Sequence, residues 1–181
     1  MSDLMLKESR GILDAFKMYR LYHKAFPREE KKPYWLIKNT EHRGYGRNFS
    51  IHNEKGEFLG LMFTISDGDF MLLDYFAIEQ KHRGQGIGTQ ALRQLKEIFA
   101  PLSIILEIED PELVCDNREE RCRRAEFYTK CGMRTLDYRV SLFGVDMCIL
   151  TSGADVSFDE YHGLLKKVFG EIISKNVYLL G

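Results

Sequence analysis

The spacing of apolar positions changes from stretch to stretch along this chain. Residues 4–7 read as a short first strand. From Gly11 to Phe26, the residues Ile12, Leu13, Phe16, Tyr19, Leu21, Tyr22 and Phe26 predict an apolar stripe on a helix that Pro27 ends. Pro33 opens a second, shorter helical segment through Tyr34, Trp35, Leu36 and Ile37. The pattern then becomes that of strands. Residues 47–52 and 58–65 flank the polar turn Asn53-Glu54-Lys55-Gly56, and Asp67-Gly68 is a second hairpin signal. It leads into FMLLDYFAI at 70–78, an aliphatic and aromatic run of the kind that forms a largely buried strand. After the polar, glycine-rich EQKHRGQGIGT, the residues Ile87, Ala91, Leu92, Leu95, Ile98 and Phe99 recur at helical spacing.

The second half continues the alternation. Residues 102–108 read as a crossover strand on which Glu107 and Glu109 share a face. Residues 121–131 read as a helix closed by a left-handed Gly132, and 134–143 with 146–151 as a hairpin around Gly144. Beyond Gly153, Ser157 caps a further predicted helix carrying Phe158, Tyr161, Leu164, Leu165, Val168, Phe169, Ile172 and Ile173. Three sequential strands on tight turns make an antiparallel meander, and a helix then crosses to another strand. That order predicts an α+β fold: a mixed, mostly antiparallel central sheet flanked by helices, with a C-terminal helical extension. The predicted division is a domain at 1–153 and an extension at 154–181 packing on it, a dimer contact being the alternative cover for its wide apolar face.

Composition narrows the function classes. The chain has 181 residues, 44% hydrophobic and 29% charged, enough for one domain with a real core. A net charge of −1 argues against a general nucleic-acid binder. No apolar run approaches the roughly 20 residues of a membrane span, and MSDLMLKESR lacks a signal-peptide core. Cys115, Cys122, Cys131 and Cys148 show no C-x-x-C pairing, which predicts reduced thiols in the cytoplasm. None of His23, His42, His52, His82 and His162 falls in a triad or metal spacing, so no metal is expected.

The chemistry concentrates in the turn. Gly84, Gly86 and Gly88 let the backbone approach a ligand where a helix presents unpaired N–H groups, a place suited to a phosphate or pyrophosphate. A P-loop would need Lys after its last glycine, and none is there. The dinucleotide fingerprint is nearer. Gly84 and Gly86 supply two of its glycines, and Glu107 stands about 20 residues on, where a ribose-binding acid belongs. Its third glycine, however, falls on Thr89, and the polar residues 79–83 separate strand from glycine.

Read as Arg83-x-x-Gly86-x-Gly88, the same turn resembles the acetyl-CoA signature of the GNAT superfamily of N-acetyltransferases. Downstream, Phe127-Tyr128-x-x-x-Gly132-Met133 resembles that family's second signature. The resemblance implies the acyl-CoA N-acyltransferase fold and an acetyl-CoA-dependent transferase that moves an acetyl group directly from the thioester to a primary amine of a small molecule or protein. It implies that Phe76, Ala77 and Ile78 offer backbone groups to the pantetheine arm. Backbone N–H groups of Gly84, Gln85, Gly86, Ile87, Gly88 and Thr89 would hold the pyrophosphate, with Arg83 at its edge. Tyr128 matches the family's general acid toward the departing thiolate, the alternative being a hydrogen bond to the cofactor sulfur or simple packing. The base is open: Glu107 ranks first, Asp74 second, and a water chain would also serve. Phe26, Tyr34 and Trp35 lie in the region that lines the acceptor side in the family, core and surface packing being the alternative for each. The acidic stretch 110–120 would attract a cationic amine, the alternative being a solvated loop with no partner. One feature departs from the family: where many members carry Asn before this tyrosine, Arg121, Arg123 and Arg124 stand here. The competing readings are an acyl-CoA-binding regulatory module without turnover and a nicotinamide-binding enzyme. The expected assembly is a monomer or homodimer with neither nucleic acid nor membrane as partner.

Overall fold

The computed structural model describes residues 4–8, 11–28 and 30–180. Its elements run β1 (Leu4–Glu8), α1 (Ile12–Ala25), α2 (Tyr34–His42), β2 (Gly46–Asn53), β3 (Phe58–Ser66), β4 (Phe70–Ile78), α3 (Ile87–Phe99), β5 (Ser103–Glu109), α4 (Arg118–Lys130), β6 (Arg134–Leu142), β7 (Val145–Thr151), α5 (Phe158–Phe169), α6 (Glu171–Ser174) and β8 (Val177–Leu180). The strands make the mixed, mostly antiparallel sheet that the hydrophobic pattern predicts, with helices flanking it. The chain divides into two compact units, Met1–Ser66 with Leu73–Ala100, and Asp67–Leu72 with Pro101–Gly181, so β4 contributes to both.

In the first unit the strand order is β1-β2-β3-β4, with β1 and β3 antiparallel to β2. Alternation along β2 sorts its faces. Phe49 meets Phe99 of α3 edge-on, centroids 6.2 Å apart. Ser50 and His52 turn the other way, toward α1, where Ser50 Oγ donates to Asp14 at 3.2 Å and lies 3.0 Å from His52 Nε2. The sequence spacing gave no sign of this trio. Ser50 is fully buried, so the cluster ties α1 to the sheet rather than presenting a nucleophile.

On α1 the structure corrects the expected stripe. Met18, Leu21 and Tyr22 are buried, but Ile12, Leu13, Phe16 and Tyr19 are 89%, 77%, 58% and 43% exposed. Counting back from Met18, Leu21 and Tyr22 at 3.6 residues per turn brings Asp14 and Ala15 inward and carries those four off the buried face. Asp14, a polar residue, occupies the inward position because Ser50 and His52 satisfy it. The core beneath α1 and α2 joins Met18, Leu21, Tyr22 and Ile37 to Phe58, Leu61 and Phe63 of β3 and to Tyr75 and Ala77 of β4. At Gly60 the two strands approach so closely that an added Cβ would stand 2.4 Å from the Ala77 carbonyl oxygen and 2.9 Å from Ile78 Cδ1. Gly60→Ala is therefore expected to cost about 1–3 kcal/mol, read as a lowered denaturation midpoint. An unchanged midpoint would show that the strands can part freely there.

In the second unit Phe70–Leu72 pair in parallel with Ser103–Ile105, and the order continues β5-β7-β6-β8. Helix α4 starts at Arg118, three residues earlier than the apolar pattern indicates, because its first turn is polar and carries no hydrophobic signal. α5 begins with a capping box: Glu160 N donates to Ser157 Oγ, and Ser157 N donates to Glu160 Oε2 at 2.8 Å. Tyr161, Leu164, Leu165, Val168 and Phe169 are buried within the chain. The helix does not run on to Ile173. Gly170 breaks it at φ 69° and ψ −164°, α6 follows as a single turn, and β8 then pairs antiparallel with β6 from Val177 against Leu142 to Leu180 against Arg139. A four-residue strand is too short to show alternation, and it is the edge of β6 that orders it.

Candidate active site

The turn after β4 has the geometry that its glycines predict. A 3-10 turn at Gln80–His82 follows the strand, Arg83 is extended, Gly84 and Gly86 take φ of 76° and 75°, and α3 begins at Ile87. Those left-handed conformations exclude most side chains. A Cβ on either glycine would meet nothing within 4 Å, so the loop borders open space on that side. No side chain caps the N-terminus of α3, and no acid stands in its first turn. Open space beside the glycines, an uncapped helix end and no acid in its first turn fit a pyrophosphate. Arg83 is anchored beside it, its Nε donating to the Ile78 carbonyl at 3.1 Å. Gln85 Nε2 donates back to the Lys81 carbonyl.

The end of β4 has two differently occupied edges. Glu79 N donates to the Leu59 carbonyl at 2.8 Å, and the Ala77 carbonyl abuts Gly60, so these residues turn their backbone groups toward β3. Backbone direction alternates along a strand, so Asp74, Phe76 and Ile78 turn theirs toward the other edge. Of the three residues expected to serve the arm, Phe76 and Ile78 therefore present groups away from β3, and Ala77 faces its neighbour strand.

Asp74 is held in an ion pair. Lys32 Nζ lies 2.6 Å from Asp74 Oδ1, with side chains 4% and 3% exposed. The same lysine sits 5.2 Å from the centre of the Tyr75 ring. Its backbone is fixed as well: Lys32 N donates to Tyr75 Oη at 2.9 Å, and Tyr22 Oη donates to the Lys32 carbonyl at 2.8 Å. Tyr75 Oη donates onward to the Glu30 carbonyl. This network straps the α1–α2 connection to β4. Phe26 and Tyr34 pack against the core, and Trp35 is 62% exposed.

In the second unit Tyr128 sits on α4, 8% exposed, beside the ring of Phe127. Gly132, at φ 74°, closes the helix as its sequence position predicts. Burial pushes the Tyr128 phenol up to about 12, with the Arg124 charge pulling the other way. The arginines that replace the family's Asn have a different occupation. Arg121 and Arg124 lie 2.7 Å and 3.4 Å from the buried Glu109 carboxylate. Arg139 pairs with Asp110 at 2.9 Å and with Glu112. The stretch 110–120 is thus partly neutralised by arginines rather than presenting a bare acidic face. Glu107 accepts a 2.5 Å hydrogen bond from Tyr161 Oη, from a fully buried residue of α5. Close by, the Tyr138 hydroxyl is buried without a hydrogen-bond partner, and burial followed by the charge of Glu107 raises its pKa.

Lys32 and Tyr161 are functional candidates that sequence reasoning missed. Lys32 lies in a charged run with nothing to distinguish it, and Tyr161 reads as one more apolar residue of a helical stripe. Among the described residues no cluster of three or more His, Cys, Asp or Glu is placed to hold a metal, and no helix is long and apolar enough to cross a membrane. The four cysteines are free thiols.

Buried tyrosines give a pH signature. Tyr34 and Tyr128 are pushed up to about 12 from 10.0, and Tyr22 and Tyr138 higher, chiefly by burial. The unfolded chain therefore releases these protons first, near pH 10. The stability they represent is complete below about pH 10 and is lost as pH rises from there through about 12. Thermal midpoints should begin to fall above about pH 10. A midpoint that rises between about pH 10 and 11 would contradict this.

Comparison with known proteins completes the assignment. The acetyltransferase (GNAT) family model matches residues 15–133. No curated protein sequence matches significantly. Among solved structures, a protein assigned to the GNAT acetyltransferases from Bacteroides thetaiotaomicron superposes with a TM-score of 0.73 at 22% identity, covering 93% of this chain and 98% of its own. The spermidine N-acetyltransferase of Vibrio cholerae, solved with CoA and spermine, gives 0.63 at 15% identity over 82% of this chain and 94% of its own. A histone acetyltransferase HPA2-related protein from Corynebacterium glutamicum gives 0.62 at 16%, over 87% and 99%. At these identities the likeness is one of fold. The family match covers most of the chain, including both signatures, and with it the chain belongs to the GNAT family of acetyltransferases, enzymes whose acetyl donor is acetyl-CoA.

Proposed function

We propose that this enzyme moves the acetyl group directly to a primary amine of a small molecule or protein, within a transferase domain at 1–153 carrying the extension 154–181. The observation that carries the reading is the pair of left-handed glycines, Gly84 and Gly86, at the uncapped start of α3 immediately after β4. Backbone groups of Gly84, Gln85, Gly86, Ile87, Gly88 and Thr89 hold the pyrophosphate, and Arg83 borders it. The outward backbone of Phe76 and the N–H of Ile78 face the arm, the Ile78 carbonyl being taken by Arg83. Bound acetyl-CoA supplies an activated thioester. Tyr128 stays protonated at neutral pH and donates to the sulfur as negative charge develops there. Glu107, its carboxylate oriented by Tyr161, takes the amine proton directly or through water. Asp74 ranks below it because Lys32 already occupies its carboxylate.

The four free thiols favour a cytoplasmic setting. A screen of primary amines that follows thiol release from acetyl-CoA tests the reading. It should begin with polyamines, since a spermidine acetyltransferase is among the chains of similar fold. Amine-dependent thiol release is the expected result. No release with polyamines, aminoglycosides, amino acids or lysine peptides would count against an amine acceptor.

A further inference from the structure

We propose that Lys32 is a self-acetylation site: the enzyme transfers an acetyl group from bound acetyl-CoA to Lys32 Nζ, with Asp74 as the proton acceptor. The proposal rests on the reading of β4 and the α3 turn as the donor site. Three observations support it. First, Nζ is held in place, 2.6 Å from Asp74 Oδ1 and over the Tyr75 ring, while the hydroxyls of Tyr22 and Tyr75 fix the lysine backbone. A nucleophile with so little freedom loses little entropy on reaction. Second, Asp74 lies four residues before Ile78, about 13 Å along the strand at about 3.3 Å per residue. A donor anchored at α3 and laid along the outward groups of Ile78 and Phe76 carries its thioester end toward Asp74. Third, the Asp74 side chain is 3% exposed although the residue as a whole is half-buried, so it is the backbone that borders open space. That exposed backbone is the side from which the thioester would approach, the Lys32 side chain itself being 4% exposed.

The step balances. The ammonium gives one proton to the Asp74 carboxylate. The freed lone pair forms the C–N bond to the acetyl carbon as the C–S bond breaks and its electron pair leaves on sulfur. The second amine proton ends on the sulfur, yielding free CoA thiol, acetyl-lysine and protonated Asp74. The product carries no charge, so the strap between the α1–α2 connection and β4 loses its ion pair.

The test uses the purified full chain incubated with acetyl-CoA and no added amine, then digested and read by peptide mass spectrometry. In parallel, acetyl-CoA binding is measured by calorimetry. Lys31, the neighbouring residue and more exposed, is the internal control for chemical acetylation. The expected result is acetylation of Lys32 at least about tenfold faster than of Lys31, lost in Gly86→Glu and in Asp74→Asn. Gly86→Glu alters a surface turn and leaves the ion pair intact, so its outcome does not depend on whether Asp74→Asn folds. Wild type that binds acetyl-CoA yet leaves Lys32 unmodified would overturn the proposal and leave the donor site standing. Labelling that persists undiminished in Gly86→Glu would also overturn it. Folded wild type that binds no acetyl-CoA would overturn the donor-site reading, and the proposal with it.

Discussion

Replacing Tyr128 with phenylalanine is expected to lower kcat for acetyl transfer about 100-fold or more, within the range that general acids contribute, while leaving acetyl-CoA affinity nearly unchanged. The side chain is 8% exposed, so the ring keeps its packing and only the hydroxyl is lost. Burial pushes the phenol up to about 12, against about 8.5 for a free thiol. A donor that weak does not hand its proton fully to the sulfur at equilibrium. In the role proposed for it, it would lower the barrier by donating a hydrogen bond as the thiolate forms, with Arg124 favouring any negative charge the oxygen acquires. The wild-type pH–rate profile should accordingly show no descending limb from this group below about pH 10. An unchanged kcat in Tyr128→Phe would make the tyrosine a packing residue. It is also what an acyl-CoA-binding module without turnover would show.

Asp74→Ala carries the largest expected effect on stability, a loss of about 3–5 kcal/mol. The variant removes the Asp74 carboxylate that lies 2.6 Å from the Lys32 ammonium, whose side chain is 4% exposed. The Tyr75 ring at 5.2 Å offsets only part of that cost. The strap holding the α1–α2 connection to β4 should loosen with it. A double variant, Lys32→Met with Asp74→Leu, removes both charges and is expected to recover most of the loss, since a buried pair is often replaced by apolar residues of similar size at little cost. Urea denaturation of the three proteins measures this. A cost below about 1 kcal/mol for Asp74→Ala would mean that water reaches the pair as it reaches a surface one.

These two positions also show what the sequence can and cannot reveal. The strand, turn and helix spanning residues 70–99 are legible because their determinants are local: an aliphatic run, glycines at left-handed φ and a helical stripe. The second signature is legible for the same reason, with Gly132 four residues after Tyr128. Where a residue's role depends on a distant partner, the pattern is silent. Lys32 meets Asp74 across 42 residues and Tyr161 meets Glu107 across 54. Glu109 reads as a free acid on a strand until Arg121 and Arg124 come back over it. On α1 the apolar residues themselves mislead. Ile12, Leu13, Phe16 and Tyr19 are hydrophobic enough to define a stripe, yet the buried face is set by Met18, Leu21 and Tyr22 with Asp14 among them. β8 exists because β6 offers it an edge, which four residues of sequence cannot announce.

The central claim is that the α3 turn holds acetyl-CoA. Calorimetric titration of wild type and Gly86→Glu with acetyl-CoA, with NAD as the control ligand, tests it most directly. Gly86 has a φ of 75° and opens onto free space, so glutamate there both strains the turn and places a negative charge where the pyrophosphate belongs. The account predicts micromolar binding of acetyl-CoA by wild type, loss of that binding in the folded variant, and no binding of NAD by either. Binding of acetyl-CoA that Gly86→Glu leaves intact, or none by folded wild type, would contradict it.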